Sequence, residues 1–583
     1  MFNVTMSDGI VLTTTLWTLR SVKFNEKSSF PVNYQSFPYN YFVEKAIVLQ
    51  WATALLLKTM PQHAILIQHM RGNGSNTGKF AGFHQAQDIA DTVTWLKQQY
   101  WWNGVLFGTG KSAMGVMSYL SALVNVPMRA QSVSIAAADE YKLIYQNGAF
   151  RSALVNGMLK YVNQTDYNVT YIDHEDPGPW WNGTNLDGHY AGVKWPAVHT
   201  AGWYDVFQQD TLDVYHGYRT QSDPEIRDLQ FLIIEPKGHC FAGGAVKWHN
   251  LALAELSTLA STFAGMLFGV LADAVNVPKF EAGLELLRSL SKQIPRVFWY
   301  VMGSGLHGAK GNWIAAADAL PTPTPTPMYL APHKTLSEVV PNQSSAFSYV
   351  YNPEDPVKTL GGNNMGAPPA LTGMANLPCG PWDQLPVNKY RTDVLVFTSE
   401  KLQTELAITG RTKIVLFVSS NVTDTDFTAK LVDVFPNGTR LLLQDGIQRM
   451  RWRYPHKGPQ FMSPGEVYKI EIDLWSTSYI FMPNHSIGVD ISSSNVPQFD
   501  ANPNTGYPLK VTSRVPYTLL ANNTVHTGLD QASHVLLPVV PLDSVAPVRD
   551  KIMQNLLPHF STTADGQPTL AAKLRALGED VSQ

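Results

Sequence analysis

Short apolar runs alternate with amphipathic stretches in residues 1–138, and this alternation predicts an α/β sheet. The stretch 86–97 carries apolar side chains at the i, i+3, i+4 spacing of a helix. Strands that alternate with helices favour a parallel sheet with helices on both faces. The apolar runs typical of buried strands lie at 9–17, 64–68, 105–107 and 131–137.

The alternation breaks at residues 139–190, which begin with a helical pattern and end in a loop rich in proline and tryptophan. This change predicts a short helical insertion that caps the sheet. Residues 191–320 return to the α/β pattern, with strands predicted at 195–201 and 229–234 and helical additions before a late strand at 296–302.

Residues 321–327 alternate proline with threonine, which predicts an extended linker, because proline cannot donate to a sheet ladder. From residue 328 to 583 the chain is rich in β pattern. The run 466–475 alternates cleanly, as a half-buried strand should, and a hairpin is predicted about residues 436–438. Regular short strands of this kind predict a β sandwich or jelly roll.

A tight glycine turn joins the strand at 105–107 to a helical pattern, and Ser112 stands in it between Gly110 and Gly115. A strand, a sharp turn with a serine and a helix together indicate a nucleophile elbow. A phosphate-binding loop is the first alternative, but its leading glycine would fall at position 105, which is Val105. A purely structural corner is the second, and the turn alone does not decide between them.

An aspartate and a histidine follow two later predicted strands. Asp205 comes just after the strand at 195–201, and His239 just after the strand at 229–234. The carboxyl ends of strands in open α/β sheets are where sites are built. The order Ser112, Asp205, His239 is that of α/β-hydrolase triads, in which a histidine activates the serine and a carboxylate orients the histidine. This order favours the nucleophile elbow.

Composition excludes some partners. The 583 residues carry 43 Lys and Arg against 46 Asp and Glu, a net charge of −3. Because this balance supplies neither a basic field for nucleic acid nor a polybasic membrane patch, neither partner is expected. The longest apolar window, 256–271, is shorter than the roughly 20 residues of a membrane-spanning helix. A buried or cap helix is the better prediction.

Two cysteines and ten Asn-x-Ser/Thr sequons bear on the compartment. Cys240 and Cys379 cannot form a disulfide framework; one bridge is open, and two free thiols are the expectation. Sequons permit glycosylation only in a secreted protein, and the first residues lack the charged and apolar regions of a signal peptide. The localisation is therefore left open.

Further motifs lie in the β-rich half: 423–431, 445–447, 464–468 and 492–500. With Gly202-Trp203-Tyr204-Asp205 and Gly110-x-Ser112-x-x-Gly115, they make nearly the whole chain resemble the cocaine-esterase/X-Pro dipeptidyl-peptidase family of serine hydrolases. The longer serine–glycine spacing is that family's own form. The resemblance implies an α/β-hydrolase domain, a helical cap inserted into it and a C-terminal β jelly roll.

The resemblance also implies roles for particular residues. Ser112 would be the nucleophile, Asp205 the orienting carboxylate and His239 the base. Tyr39, in the loop 37–40, and the backbone N–H of Ala113 would form the oxyanion hole. An apolar pocket for the acyl group would be supplied by Phe207, Trp180 and Trp181.

Three departures from the family bear on the substrate. His69 stands where the family's Asp-x-Arg-Gly loop has its aspartate, so a supporting carboxylate is lost. Lys111 places a cation beside the nucleophile, where relatives carry an uncharged residue. The cap, 139–190, is about half the expected length, and because the cap shapes the pocket, the identity of the substrate stays open.

The leading hypothesis is a serine hydrolase that cleaves an ester or a short peptide through an acyl-enzyme, as carboxylesterases or X-Pro dipeptidyl-peptidases do. The alternative is a non-catalytic relative whose jelly roll binds a ligand such as carbohydrate. A structure that places His239 far from both Ser112 and Asp205 would favour this alternative. No cofactor or metal is expected, since His63, His69 and His84 lack a metal-ligand spacing. A homodimer is left open.

Overall fold

The computed structural model describes ten stretches of the chain: residues 1–18, 29–39, 63–73, 76–239, 250–272, 277–292, 294–304, 311–365, 377–514 and 517–548.

A ten-stranded mixed sheet forms the first domain, and a two-stranded hairpin lies in the insertion. The strands are β1 Phe2–Thr5, β2 Val11–Trp17, β3 Phe30–Phe37, β4 Ala64–His69, β5 Trp102–Lys111, β6 Met128–Ser134, the hairpin β7 Tyr145–Gln146 and β8 Ala149–Phe150, then β9 Ala197–Tyr204, β10 Gln230–Gly238, β11 Val297–Val301 and β12 Trp313–Ala317.

The strand order is β1-β2-β4-β3-β5-β6-β9-β10-β11-β12. The inner strands from β4 to β11 are parallel, and β1, β2 and β12 add antiparallel pairs at the two edges. The predicted parallel sheet is thus present, and antiparallel strands extend it at both edges. Every residue of β4, β9 and β11 is buried, as continuous apolar runs require when both faces of a sheet are covered.

Eight α-helices accompany this domain and its insertion within the described ranges. They are α1 Ala86–Leu96, α2 Ala113–Leu120, α3 Glu140–Ile144, α4 Ser152–Tyr161, α5 Asn168–Asp173, α6 Gln208–Gln221, α7 Asn250–Ala272 and α8 Val277–Ser291. The apolar window at 256–271 falls in α7, which packs against β6, β9 and β10. In the described part of the chain, no helix is long and apolar enough to span a membrane.

A second domain holds eleven strands in one sheet system. They are β13 Thr324–Ala331, β14 Thr335–Ser337, β15 Ser345–Tyr351, β16 Leu395–Ser399, β17 Leu406–Ser420, β18 Asp426–Val434, β19 Arg440–Arg449, β20 Tyr468–Phe481, β21 Ser486–Ser492, β22 Ala521–Thr527 and β23 His534–Val540, with the short helices α9 Leu385–Asn388 and α10 Leu509–Thr512. The predicted hairpin about 436–438 joins β18 to β19.

The proline-threonine segment 321–327 is extended, as predicted, but it is not a free linker. Residues from Thr324 onward begin β13 and pair antiparallel with β23, so that Pro325 lies opposite Pro538. The pairing between β13 and β14 begins only at Tyr329. The prolines therefore lie where β13 has one neighbour among the described strands, and their missing N–H groups interrupt no second ladder.

The sequence pattern missed β3 because polar residues interrupt it, yet β3 lies between β4 and β5 in the sheet. Two of its buried polar side chains have hydrogen-bond partners. Asn33 accepts a hydrogen bond from Thr109 at 2.6 Å, and Tyr34 donates one to Gln68 at 2.9 Å. Buried polar groups that are paired in this way cost little, and β3 leads directly to the loop of Tyr39.

The expectation of two free thiols was wrong. Cys379 is disulfide-bonded. The sequence has one other cysteine, Cys240, which lies outside the described residues. Cysteine count alone left this pairing open, because bridge formation depends on how close two side chains come in the fold.

The insertion is held against the second domain by a buried carboxylate. Glu175 accepts hydrogen bonds from the Trp452 indole at 2.9 Å and the Leu509 N–H at 2.8 Å, and it pairs with Arg451. These contacts, largest among them the charge of Arg451, outweigh burial and lower the pKa of Glu175. The insertion is therefore packed between both domains.

Candidate active site

Ser112, Asp205 and His239 lie at the carboxyl edge of the first sheet. Each follows a parallel strand: Ser112 follows β5, Asp205 follows β9 and His239 follows β10. These strands are near neighbours in the order β5-β6-β9-β10. The structure therefore brings together three residues that are separated by up to 127 positions in the sequence.

The turn between β5 and α2 has the strained geometry of an elbow. Ser112 has φ 57° and ψ −131°, a conformation that non-glycine residues rarely adopt. A Cβ at Gly110 would collide with the Met114 carbonyl, and one at Gly115 would lie 2.7 Å from the Ala136 Cβ. Strand and helix approach too closely for side chains at these positions, which is the reason for both glycines.

Two short hydrogen bonds link the three side chains. Ser112 Oγ lies 2.8 Å from His239 Nε2, and His239 Nδ1 lies 2.8 Å from Asp205 Oδ2. The Asp205 side chain is fully buried, and that of His239 is 9% exposed. The observation that would favour the non-catalytic alternative, a His239 far from both partners, is not made.

The second carboxylate oxygen of Asp205 is also occupied. Oδ1 accepts a hydrogen bond from the Phe207 N–H at 2.8 Å, which leaves Oδ2 for the imidazole. The Phe207 ring meets the His239 ring edge to face, with centroids 5.2 Å apart. Phe207 therefore borders the imidazole, which is compatible with its predicted place in the acyl pocket.

Tyr39 lies beside the serine. Burial raises the pKa of Tyr39 to about 12, and the interaction of its hydroxyl with Ser112 acts in the opposite direction. The phenol therefore keeps its proton at neutral pH and can donate to an anion. Ala113 is the first residue of α2, where backbone N–H groups lack partners inside the helix and attract negative charge.

Lys111, the departure beside the nucleophile, is only partly exposed. Burial lowers the pKa of Lys111, and the charges of Asp205 and Glu235 act in the opposite direction. The cation therefore lies close enough to interact electrostatically with the Asp205 carboxylate.

The loop in which His69 stands in place of the family's aspartate is supported by carboxylates from elsewhere in the chain. Arg71 donates to Asp88 at 2.7 Å and to Asp8 at 2.6 Å. The ion pairs raise the pKa of Arg71, chiefly through Asp88. The arginine of this loop is thus held by α1 and the N-terminal hairpin.

Trp180 and Trp181 lie in an aromatic cluster of the insertion. The Trp180 ring stacks on His174 at 4.1 Å and lies 4.2 Å from that of His84, and Trp181 stacks on Tyr171 at 6.0 Å. The Trp181 indole N–H donates to the carbonyls of His174 and Asp176. Their predicted part in a substrate pocket stays a prediction.

Three residues that touch the acid loop, defined as residues 203–207 at the end of β9 and just after it, were absent from the sequence-based prediction. Arg151 donates to the Val206 carbonyl at 2.8 Å, and Asn363 and Gln444 donate to carbonyls of the same loop. No local motif marks them, because their role depends on contacts over more than 50 and up to 241 positions. Within the described residues, no group of three or more His, Cys, Asp or Glu is arranged to hold a metal ion.

Comparison with known proteins agrees with this geometry. A family model described as X-Pro dipeptidyl-peptidase (S15 family) matches residues 8–167 and 155–241, and one described as the X-Pro dipeptidyl-peptidase C-terminal non-catalytic domain matches residues 290–536. A cocaine esterase of Rhodococcus sp. is 29% identical over 92% of this chain and 97% of its own length.

Solved structures show the same architecture. An α-amino acid ester hydrolase aligns with a TM-score of 0.71 at 20% identity, covering 92% of this chain and 96% of its own. An aminopeptidase from a Thaumarchaeota archaeon aligns with a TM-score of 0.70 at 19% identity, covering 93% and 96%. The predicted α/β-hydrolase fold with a C-terminal β-rich domain is confirmed.

Proposed function

Because this chain belongs to the cocaine-esterase/X-Pro dipeptidyl-peptidase family of α/β-hydrolase serine hydrolases, we propose that Ser112, His239 and Asp205 form the catalytic triad with which it cleaves an ester or peptide-type amide. The observation that carries the proposal is the pair of 2.8 Å contacts that joins Ser112 to His239 and His239 to Asp205. A hydroxyl is a weak nucleophile until a base accepts its proton, and His239 Nε2 lies within reach of that proton.

In the acylation step the proton of Ser112 passes to His239, while Asp205 orients the imidazole. With its proton on Nδ1, held by Asp205 Oδ2, the imidazole of His239 presents a free Nε2 lone pair to the Ser112 hydroxyl. Oγ attacks the substrate carbonyl as its proton passes to Nε2. The imidazolium then protonates the leaving alcohol or amine, and water cleaves the acyl-serine by the same route in reverse.

The oxyanion of the tetrahedral intermediate needs donors placed beside Ser112. We assign this role to the Tyr39 hydroxyl, which is protonated at neutral pH and whose pKa burial raises further, to about 12, and to the Ala113 N–H at the start of α2. Donors held in place before the reaction stabilise charge as it develops, with no cost of reorganisation at that moment.

Replacement of Tyr39 by phenylalanine is expected to lower kcat about 100-fold or more with a small change in KM, since the lost donor acts mainly on the transition state. Tyr161→Phe is the matched control, because its ring packs on that of Tyr39 with centroids 5.1 Å apart. The measurement is steady-state hydrolysis of p-nitrophenyl butyrate. Equal rates for the two variants would remove Tyr39 from the oxyanion hole.

The triad itself is tested with a fluorophosphonate probe, which labels only an activated serine. The wild-type protein is expected to be labelled at Ser112, as located by peptide mass spectrometry, and Ser112→Ala is expected to remain unlabelled. An unlabelled wild-type protein, or equal labelling of the two, would overturn the proposed function.

The class of substrate is tested by a direct comparison. The Rhodococcus relative is named an esterase and the family model a dipeptidyl-peptidase, so both kinds of acyl donor are proposed for this chain. Hydrolysis of p-nitrophenyl esters from acetate to octanoate is compared with that of Ala-Pro-p-nitroanilide. The substrate with the higher kcat/KM identifies the class, and hydrolysis of neither would count against the proposal.

A further inference from the structure

The loop that carries Asp205 is held from outside the first domain. Its backbone carbonyls are buried and need donors, since an unpaired buried carbonyl is costly. Asn363 Nδ2 donates to the carbonyls of Trp203 and Asp205, both at 3.3 Å, and Gln444 Nε2 donates to that of Trp203 at 3.1 Å. Both amides belong to the C-terminal β domain, and both are buried.

Asn363 is fixed within its own domain by a glycine turn. Gly361 and Gly362 both have positive φ, and Gly362 pairs with Gly380 through two backbone hydrogen bonds. A Cβ at Gly362 would lie 2.9 Å from Asp445 Oδ1. The turn therefore places Asn363 against the acid loop, and it requires glycines because side chains at positions 361 and 362 would collide with neighbouring atoms.

Gln444 is fixed in the middle of β19. Its side chain is fully buried and donates a second hydrogen bond, to the Ser476 carbonyl in β20 at 2.7 Å. Because a strand in a sheet is stiffer than a surface loop, Gln444 provides a rigid support for the Trp203 carbonyl. Asn363 and Gln444 thus both donate to the carbonyl of Trp203, two residues before Asp205.

We propose that Asn363 and Gln444 are positioning residues for catalysis: the β domain holds the acid loop so that the Asp205 carboxylate meets His239, and the active site is incomplete without it. This inference rests on the proposed function, because it presumes that Asp205 is the acid of a working triad. A displacement of about 1 Å in a supporting group can cost on the order of 100-fold in rate, so a support of this kind has a measurable effect.

The neighbouring residue Asn364 offers a matched control. It is also buried, but its Nδ2 donates to the carbonyls of Gly361 and Pro378, both at 2.7 Å and both within the β domain. Loss of the Asn364 amide would loosen the β domain without releasing a bond to the acid loop. Loss of the Asn363 amide would release two such bonds.

The test compares Asn363→Ala, Gln444→Met and Asn364→Ala in the full chain, with p-nitrophenyl butyrate as the substrate. Asn363→Ala and Gln444→Met are expected to lower kcat about 10- to 100-fold with KM within about two-fold of wild type. The acid limb of their kcat/KM profile is expected to move to lower pH, because a misplaced carboxylate stabilises the imidazolium less. Asn364→Ala is expected to show the same acid limb of the kcat/KM profile as the wild-type protein.

Folding is checked by circular dichroism and melting temperature, and rates are expressed per folded protein. Gln444→Met keeps the side-chain volume, so it remains informative where Asn363→Ala folds poorly. A wild-type acid limb in both test variants would overturn the proposal, as would an equal shift in Asn364→Ala. Absence of fluorophosphonate labelling in the wild-type protein would instead overturn the proposed function.

Discussion

Alanine in place of Ser112 is expected to lower kcat for p-nitrophenyl butyrate by about 10⁶-fold, the scale seen when a triad serine is removed. The Oγ that lies 2.8 Å from His239 would be gone, and no acyl-enzyme could form. Stability should change little, because the side chain makes no helix-capping bond and alanine adopts φ 57° about as poorly as serine. The rate is measured against the spontaneous hydrolysis of the ester.

Ser118→Ala controls for the loss of a serine from this part of the chain. Ser118 lies on α2, the helix that begins one residue after Ser112, and accepts a hydrogen bond from Gln131 at 3.0 Å. It is expected to lose stability and keep wild-type kcat per folded protein. A Ser112→Ala variant that retained more than about a hundredth of wild-type kcat would rule out Ser112 as the nucleophile, given the expected loss.

Asn in place of Asp205 is expected to lower kcat about 10⁴-fold while the protein stays folded. The reason lies in the two contacts of the carboxylate. An asparagine would keep its oxygen toward the Phe207 N–H and turn its NH₂ toward His239 Nδ1. The imidazole would then carry its proton on Nε2, where it could no longer accept the proton of Ser112.

Asp213→Asn is the matched control, since Asp213 lies on α6, just after the acid loop, and is partly exposed. It accepts a hydrogen bond from Gln209 at 2.9 Å and pairs with Arg411 at 3.5 Å. Its kcat is expected to equal that of wild type, and both variants are expected to melt within a few degrees of it. Wild-type turnover by Asp205→Asn would show that another group orients His239.

The proposed support of the acid loop gives the β domain a part in catalysis. The family model that matches residues 290–536 is described as a non-catalytic domain, and its residues Asn363 and Gln444 make no contact with the substrate in our proposal. Their contribution would be geometric.

Much of the candidate site can be predicted from the sequence. Ser112, Asp205 and His239 were identified because each follows an apolar run, and parallel strands bring their carboxyl ends to one edge. The resemblance added Tyr39, whose hydroxyl interacts with Ser112. The roles of Trp180 and Trp181 stay predictions, since their ring contacts in the described residues lie within the aromatic cluster of the insertion and with His84.

The sequence by itself predicted the α/β alternation of the first domain, the β-rich second domain, the glycines of the elbow and the three triad candidates, because these depend on local periodicity and on backbone sterics at single positions. Only the tertiary structure decided that β3 is a central strand, that Pro325 pairs with Pro538, and that Cys379 is disulfide-bonded. It alone joined Asn363 and Gln444 to the acid loop. Each of these outcomes depends on a partner far away in the chain, and local pattern carries no information about such partners.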